Sequence, residues 1–392
     1  MSNTLKLGNG KWATGKDTLL SFSDTNNNYK PLPFSFSRAS SGTVINKDGL
    51  IETVGSGEPR IDFKDNTKGS LLLEPTRSNL IAYSNGFDNV AWVKLGQGIG
   101  SAPIVTPNYA ISPDGTLNAS RLQCDLNGGN TTNDRSWLYQ SISTITGNNT
   151  FSLYVKNNSN EDITFSLTNG SSETVVVLSD DKWHRLSTVR SGGGQPRIGL
   201  IGGIGASDNA DLLIYAAQLE QGSYATSYIP TSGSAVTRVE DTCNNGANEQ
   251  VINSTEGVLY YEASYIDGSD YNSISISNSS GSEKSRTWYD DTNLIFASYV
   301  NNVNQTFISY PIFKNINYKI AIRYKLNDFA LYVNGNKATN IVVNLGAVSP
   351  QNSYNKLNFN SGDIYNKFYG NVKDVRVYNT ALTDQELIAL TS

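Results

Sequence analysis

Short runs in which every second residue is apolar, each closed by turn residues, constrain this chain more than any other feature. In TFSLYVKNNS (150–159), Phe151, Leu153 and Val155 alternate with polar side chains. ITFSLTNG (163–170) repeats the pattern with Ile163, Phe165 and Leu167 and ends on Asn-Gly. A period of two places the apolar set on one face of a strand, and a helix cannot satisfy it. YKIAIRYKLNDFALYVNGNKA (318–338) reads as two hairpins, the second turning at Asn334-Gly335, both of which tolerate the positive φ of a type I′ turn. Strands at this spacing predict antiparallel sandwiches and an all-β chain.

The composition agrees. Only 17% of the 392 residues are charged, and the polarity comes largely from 46 Asn and 34 Gly, the residues of turns. An aromatic content of 10% argues against disorder. A net charge of −5 counts against non-specific nucleic-acid binding. No apolar run approaches the ~18–20 residues of a membrane-spanning helix. MSNTLKLGNGKW lacks the apolar core of a secretory signal, so synthesis in a cytoplasm is expected. Cys124 and Cys243 read as buried small residues rather than a bridge.

Four regions follow. Residues 1–36 read as an extended N-terminal arm in which Trp12, Leu19 and Leu20 could dock, while Pro31 and Pro33 interrupt regular structure. Residues 37–84 form a β-rich connecting region whose Leu71-Leu72-Leu73 is a buried strand ended by Pro75. Residues 85–241 form a first sandwich ending in Leu212–Ala217, after which Tyr224 and Tyr228 could pack back on the sheet. DTCNNGANEQVI (241–252) has linker composition. A second sandwich spans 250–392, with Val375 and Val377 inward against Asp374 and Arg376. Thr383 and Glu386 form a capping box, with Leu382 and Leu387 as its hydrophobic staple, predicting a helix from Asp384 to about Leu390.

The strings SRASSGT, DGLIE, EPRIDF and LLLEPTRSNLI resemble a region that precedes jelly rolls in phage tail and virion proteins. PDGT, SLYVK, W-x-R, QLEQG and TSYIPT, in that order, resemble the carbohydrate-binding-module-like jelly rolls of bacteriophage virion proteins. YVNG, DVRVYN and the capped helix resemble the concanavalin A-like (laminin G/pentraxin-type) sandwich. Together the resemblances imply tandem sandwiches, jelly roll plus concanavalin A-like, in a structural virion protein. They imply a tail fibre or receptor-binding subunit that adheres to host surface glycans, assembles with other virion structural proteins in the bacterial host cytoplasm, and is a homotrimer. Three rivals follow: a capsid-attached head fibre or decoration protein, a capsular polysaccharide depolymerase, and a non-viral bacterial adhesin.

No catalytic motif emerges. His184, the sole histidine, lies in a strand beside Trp183, where a rim position is expected. IGLIGGIGAS (198–207) has no following helix to make it a phosphate loop. Arg38, Asp48, Glu52, Arg60, Glu74 and Arg77 read as a salt-bridge and turn framework. Asp180-Asp181 and Asp290-Asp291 are acidic pairs without the alternating spacing of strand-borne glycosidase carboxylates. The chain is therefore expected not to be an enzyme and to need no cofactor, calcium being the one candidate ion, at Asp267, Asp270 and Asp291. Sugar binding needs aromatic faces beside amides and carboxylates. Tyr271, Asn272, Trp288, Tyr289 and Asp290 supply those types in the second sandwich, and Trp137 with Tyr139 in the first.

Overall fold

The computed structural model describes the chain except residues 1–3, 9–11, 16–17, 24–28, 65–66, 144, 171–173, 267–271 and 364. For 4–8, 12–15, 18–23 and 29–33 it describes the backbone. The described residues are all-β, with one helix at the C-terminus. They divide into two compact units. The first comprises residues 1–47, 53–75 and 239–392, and the second 48–52 and 76–238.

The second unit is an antiparallel sandwich. Among the described residues, one five-stranded sheet orders Val93–Gln97, Arg135–Tyr139, Pro196–Ile201, Ile163–Asn169 and Thr174–Leu178. The other orders Ser101–Ile111, Leu117–Asp125, Asn209–Gln221, Asn148–Asn157 and His184–Ser191. The alternating residues Phe151, Leu153 and Val155 meet Ile163, Phe165 and Leu167 in one core, with Cys124 among them. Cys124 is a free thiol, and burial pushes its pKa up to about 12.

The QLEQG–TSYIPT stretch has a physical role here. Gln218 Oε1 accepts the Ile229 N–H at 2.7 Å, and the buried Glu220 accepts the Thr226 hydroxyl at 2.7 Å. Tyr228 packs on Tyr215 and exchanges a hydrogen bond with Ser84. Asn79 satisfies all its polar valences: its amide donates to Ala217 and Ile229, and its oxygen accepts from Ile81 and Leu219. These bonds fold the departing segment back onto the strand it leaves. The residues that carry the resemblance are a clamp, not a site.

The first unit is a sandwich of two large sheets. Among the described residues, one sheet orders Asn336–Lys337, Ala330–Val333, Asn317–Lys325, Glu256–Tyr265, Gly370–Tyr378, Ser70–Leu73 and Arg60–Asp62, with Thr4–Gly8 also pairing Gly370–Tyr378. The facing six-stranded sheet orders Asn340–Asn344, Val303–Pro311, Asn293–Val300, Lys284–Tyr289, Ser273–Ser277 and Lys356–Asn358. Val375, Val377, Ile320 and Ile322 from the first sheet share a core with Ile274, Ile276, Leu294 and Phe296 from the second. Asn334 and Gly335 both take positive φ, 46° and 78°, as the two-residue turn requires.

The C-terminal helix, Asp384–Thr391, begins at the capping box: Thr383 N–H donates to Glu386 and Glu386 N–H to Thr383 Oγ1. Its Leu387, with Leu382 and Leu390, covers Val258, Tyr260 and Tyr332 on the outer face of the first sheet.

Three boundaries differ from the sequence reading. The segment expected to be a linker is core. Thr242–Asn244 pairs with Ser35–Ser37, and Cys243, Ala247 and Ile252 are buried in the main cluster. Its Asn and Gly residues make tight turns, Asn245 at φ 61°, rather than a flexible tether. The arm is extended and also paired. Pro31 lies within Tyr29–Ser37, where the register with Thr18–Ser23 shifts, a place where a missing N–H is tolerated. Phe34 and Phe36, two apart and so on one face, enter the same core as Leu71 and Leu73. Finally, the region drawn as a connector is shared: 53–75 belongs to the first unit, while 48–52 and Thr76 onward belong to the second.

Of the residues expected to form a salt-bridge framework, Arg38, Arg60 and Glu74 join one buried network. Arg38 donates to Asp241 at 3.0 Å, and Arg60 donates to Glu74 at 2.6 Å and also to Asp241. The side chains of Arg38, Arg60 and Asp241 are fully enclosed. The hub, Asp241, opens the segment whose composition predicts a linker. Arg77 instead lies over the Tyr224 ring in the second unit, 5.2 Å from its centre.

Candidate functional site

Of the residues expected to bind sugar, the structure brings few together. Trp288 and Tyr289 are consecutive on a strand, so their side chains leave opposite faces of the sheet. Tyr289 points into the sandwich, stacked on Tyr265 with 5.7 Å between ring centres and 3% exposed. Asn272 is fully buried, its side-chain oxygen accepting the Tyr369 N–H at 2.9 Å. Asp290 closes the hairpin that follows: its carboxylate accepts the Asn293 N–H at 2.8 Å, with Asp291 at φ 74°. Tyr289 and Asn272 are enclosed, and Asp290 is held in its turn through one carboxylate oxygen. Tyr271, and the calcium candidates Asp267 and Asp270, lie outside the described residues. Asp291 pairs with Lys314 at 2.9 Å, and among the described residues no group of three or more His, Cys, Asp or Glu could hold a metal ion. For Trp12, Leu19 and Leu20 only the backbone is described, in the strands Trp12–Gly15 and Thr18–Ser23.

Trp288 is different. It sits on the outer face of the six-stranded sheet, 8% exposed, over Ile295 and Ala297. Register and alternation assign the rest of that face. Lys284, Arg286 and Trp288 alternate along one strand and pair with Tyr299, Ala297 and Ile295 on the next. Ala297 pairs in turn with Phe307, and Ile295 with Ser309. On the other side Ser277, Ser275 and Ser273 lie opposite Lys284, Arg286 and Trp288. Lys356 and Asn358 extend the face beyond Ser277 and Ser275.

The packing there is aromatic and cationic. Arg286 stands 4.5 Å from the Trp288 ring centre and 5.4 Å from that of Tyr299, and Lys284 stands 5.5 Å from Tyr299. Phe307 meets Trp288 edge-on at 5.8 Å. Trp288, Ile295 and Ala297 are the foundation, while Arg286, Tyr299 and Phe307 are half-buried and offer surface. Burial, with the Arg286 charge beside it, pulls the Lys284 ammonium below the usual lysine range. The opposite outer face of this unit is covered by the C-terminal helix, whereas this cluster contains only residues of its own sheet.

Arg286, Tyr299 and Phe307 escaped the sequence reading because they come from three strands and meet only through register. The alternation K-x-R-x-W (284–288) was the available signal, since it puts two cations and an indole on one face.

The corresponding aromatic of the second unit is closed. Trp137 is 4% exposed, with Arg135 and Arg197 at 4.7 and 4.3 Å from its ring centre. His184 is a partly exposed partner of Asp180, as its rim position implies.

No family model and no curated protein matches the chain. Among solved structures it is similar to the native heptameric SAP-like pentraxin from Limulus polyphemus, at 17% identity and a TM-score of 0.29, covering 36% of this chain and 71% of that one. It is similar to domains LG4-5 of the mouse laminin alpha1 chain, at 11% identity and a TM-score of 0.26, covering 74% and 94%. It is also similar to the CBM22-1–CBM22-2 tandem domain from Paenibacillus barcinonensis Xyn10C, at 13% identity and a TM-score of 0.22, covering 78% and 97%. The assignment of two antiparallel sandwiches rests on the strand order of the chain itself.

Proposed function

We propose that this chain is a non-catalytic, glycan-binding structural protein whose contact surface is the outer face of the six-stranded sheet. The observation that carries the reading is the open array of Tyr299, Arg286 and Phe307 seated on Trp288. Half-buried rings present apolar faces to the C–H surface of a pyranose, and the flanking cation supplies a hydroxyl partner. The resemblance of QLEQG–TSYIPT and of SRASSGT to phage virion modules supports a finer form of the proposal: a tail-fibre or receptor-binding subunit, multimeric in the particle and adhering to host glycans. Many shallow sites on one particle reach useful avidity without any of them being tight. In this form the arm bearing Trp12, Leu19 and Leu20 joins the subunit to its virion partners.

The test is a glycan array probed with the intact chain displayed on beads, wild type against Phe307→Ala and Tyr299→Ala. Binding by wild type that both variants lose, with unchanged circular dichroism, is the expected result. Binding that survives both substitutions would move the site elsewhere.

A further inference from the structure

Arg286 bears on which sugars this face accepts. Its Nε is enclosed without a hydrogen-bond partner, and no carboxylate among the described residues pairs with its guanidinium. Rings hold it instead, those of Trp288 and Tyr299. A guanidinium held against ring faces keeps its in-plane N–H donors for a planar acceptor. Its neighbour in register, Ser275, also has a buried hydroxyl without a partner.

The charge on this face points the same way. Lys284 and Lys356 flank Ser277, one on each neighbouring strand; Lys284 is buried, so Arg286 and Lys356 are the half-buried cations of this face. Among the described residues, Asp363 reaches this cluster, 3.5 Å from the Lys284 ammonium. A chain with a net charge of −5 thus concentrates positive charge on the face that also carries its open aromatic surface.

Building on the glycan-binding reading above, we propose that this face selects a pyranose bearing a carboxylate, the uronic-acid class. Arg286 receives the carboxylate, and Phe307 and Tyr299 contact the ring. Arginine pairs with a carboxylate through two parallel N–H···O bonds, which a stacked and therefore oriented guanidinium is prepared to make. A tetrahedral phosphate would draw more on the ammonium of Lys284, which Asp363 already engages.

The experiment is a calorimetric titration of the full chain with alginate, polygalacturonate and glucuronate-containing oligosaccharides. The same sugars after carboxyl reduction, and a phosphorylated oligosaccharide, form the comparison arms. At least one uronate should bind, and reduction of its carboxyl or Arg286→Gln should each weaken binding by roughly tenfold, the scale of one lost charge-assisted hydrogen bond. Arg286→Lys should recover only part of the loss, because an ammonium keeps the charge and loses the planar fork. Equal binding of acidic and reduced sugars, or full affinity in folded Arg286→Gln, overturns the proposal. So does tighter binding of the phosphorylated sugar. Should Arg286→Gln fail to fold, the acid-against-reduced comparison on the native chain decides alone. Neutral sugars binding as well as uronates would sink carboxylate selection and leave glycan binding standing. No binding in any arm would sink both.

Discussion

Replacing Asp241 with Asn should destabilise the first unit far more than its place in a polar, Asn-rich stretch suggests. The Asp241 carboxylate faces Arg38 at 3.0 Å and Arg60, and accepts the Glu74 N–H at 2.9 Å. With Glu74 4% exposed and the other three side chains sealed, the group holds two positive and two negative charges. Neutralising Asp241 leaves two guanidiniums against one carboxylate, an uncompensated charge away from water. Breaking such a pair costs ~3–5 kcal/mol, because the abandoned charge remains buried. With a urea dependence of ~2 kcal/mol per molar, the unfolding midpoint falls by roughly 2 M. Equilibrium urea unfolding of the full chain, followed by circular dichroism, reads this directly. Asp291→Asn serves as the control: its carboxylate is 64% exposed beside Lys314, and such a pair contributes ~0–1 kcal/mol. A shift for Asp241→Asn no larger than the control's would refute the reasoning, and the network would then be incidental to the unit's stability.

Trp288→Ala removes the foundation under Arg286 and Phe307 and should cost ~3–5 kcal/mol in thermal unfolding, a loss of stability that a freely exposed indole would not produce. Glu220→Gln has a pH signature in the second unit. Burial raises the Glu220 pKa above its ordinary 4.5, against the hydrogen bonds from Thr226, so the folded state favours the protonated acid. The wild type should therefore gain stability as pH falls through the folded pKa towards 4.5. Any thermal advantage of the Gln variant at neutral pH should shrink by that point, and a difference that grows on acidification would contradict the sign. A fragment of residues 250–392 lacks Phe34, Phe36, Leu71, Leu73 and Cys243, all buried in the shared core, and should be expanded and bind hydrophobic dyes. Cooperative unfolding of that fragment would show that the core closes without them.

What could be read from the chain alone was local. Asn334-Gly335 specifies its turn through its own φ preferences, and Thr383 with Glu386, three residues on, caps the helix that starts between them. Leu71–Leu73 and the pair Val375 and Val377 announce buried strands by pattern. What depended on long-range pairing was not readable. Asp241 meets Arg38 across 203 residues of sequence, and nothing near DTCNNGANEQVI signals that its first residue is a charge hub. The candidate residues were separated for a related reason. Trp288, Tyr289 and Asp290 were grouped because they are adjacent, but a strand sends neighbours to opposite faces. The surface that Trp288 supports is instead built from Arg286, Tyr299 and Phe307, which only the register of three strands brings together.

The most direct test of the account is a crystal structure of the chain soaked with the oligosaccharide it binds best. The account predicts a pyranose ring against Phe307 and Tyr299, with an acidic group at Arg286, on the outer face of the six-stranded sheet. A sugar seated instead at the Asp290 turn, or against the Arg-covered Trp137 of the second unit, would contradict it.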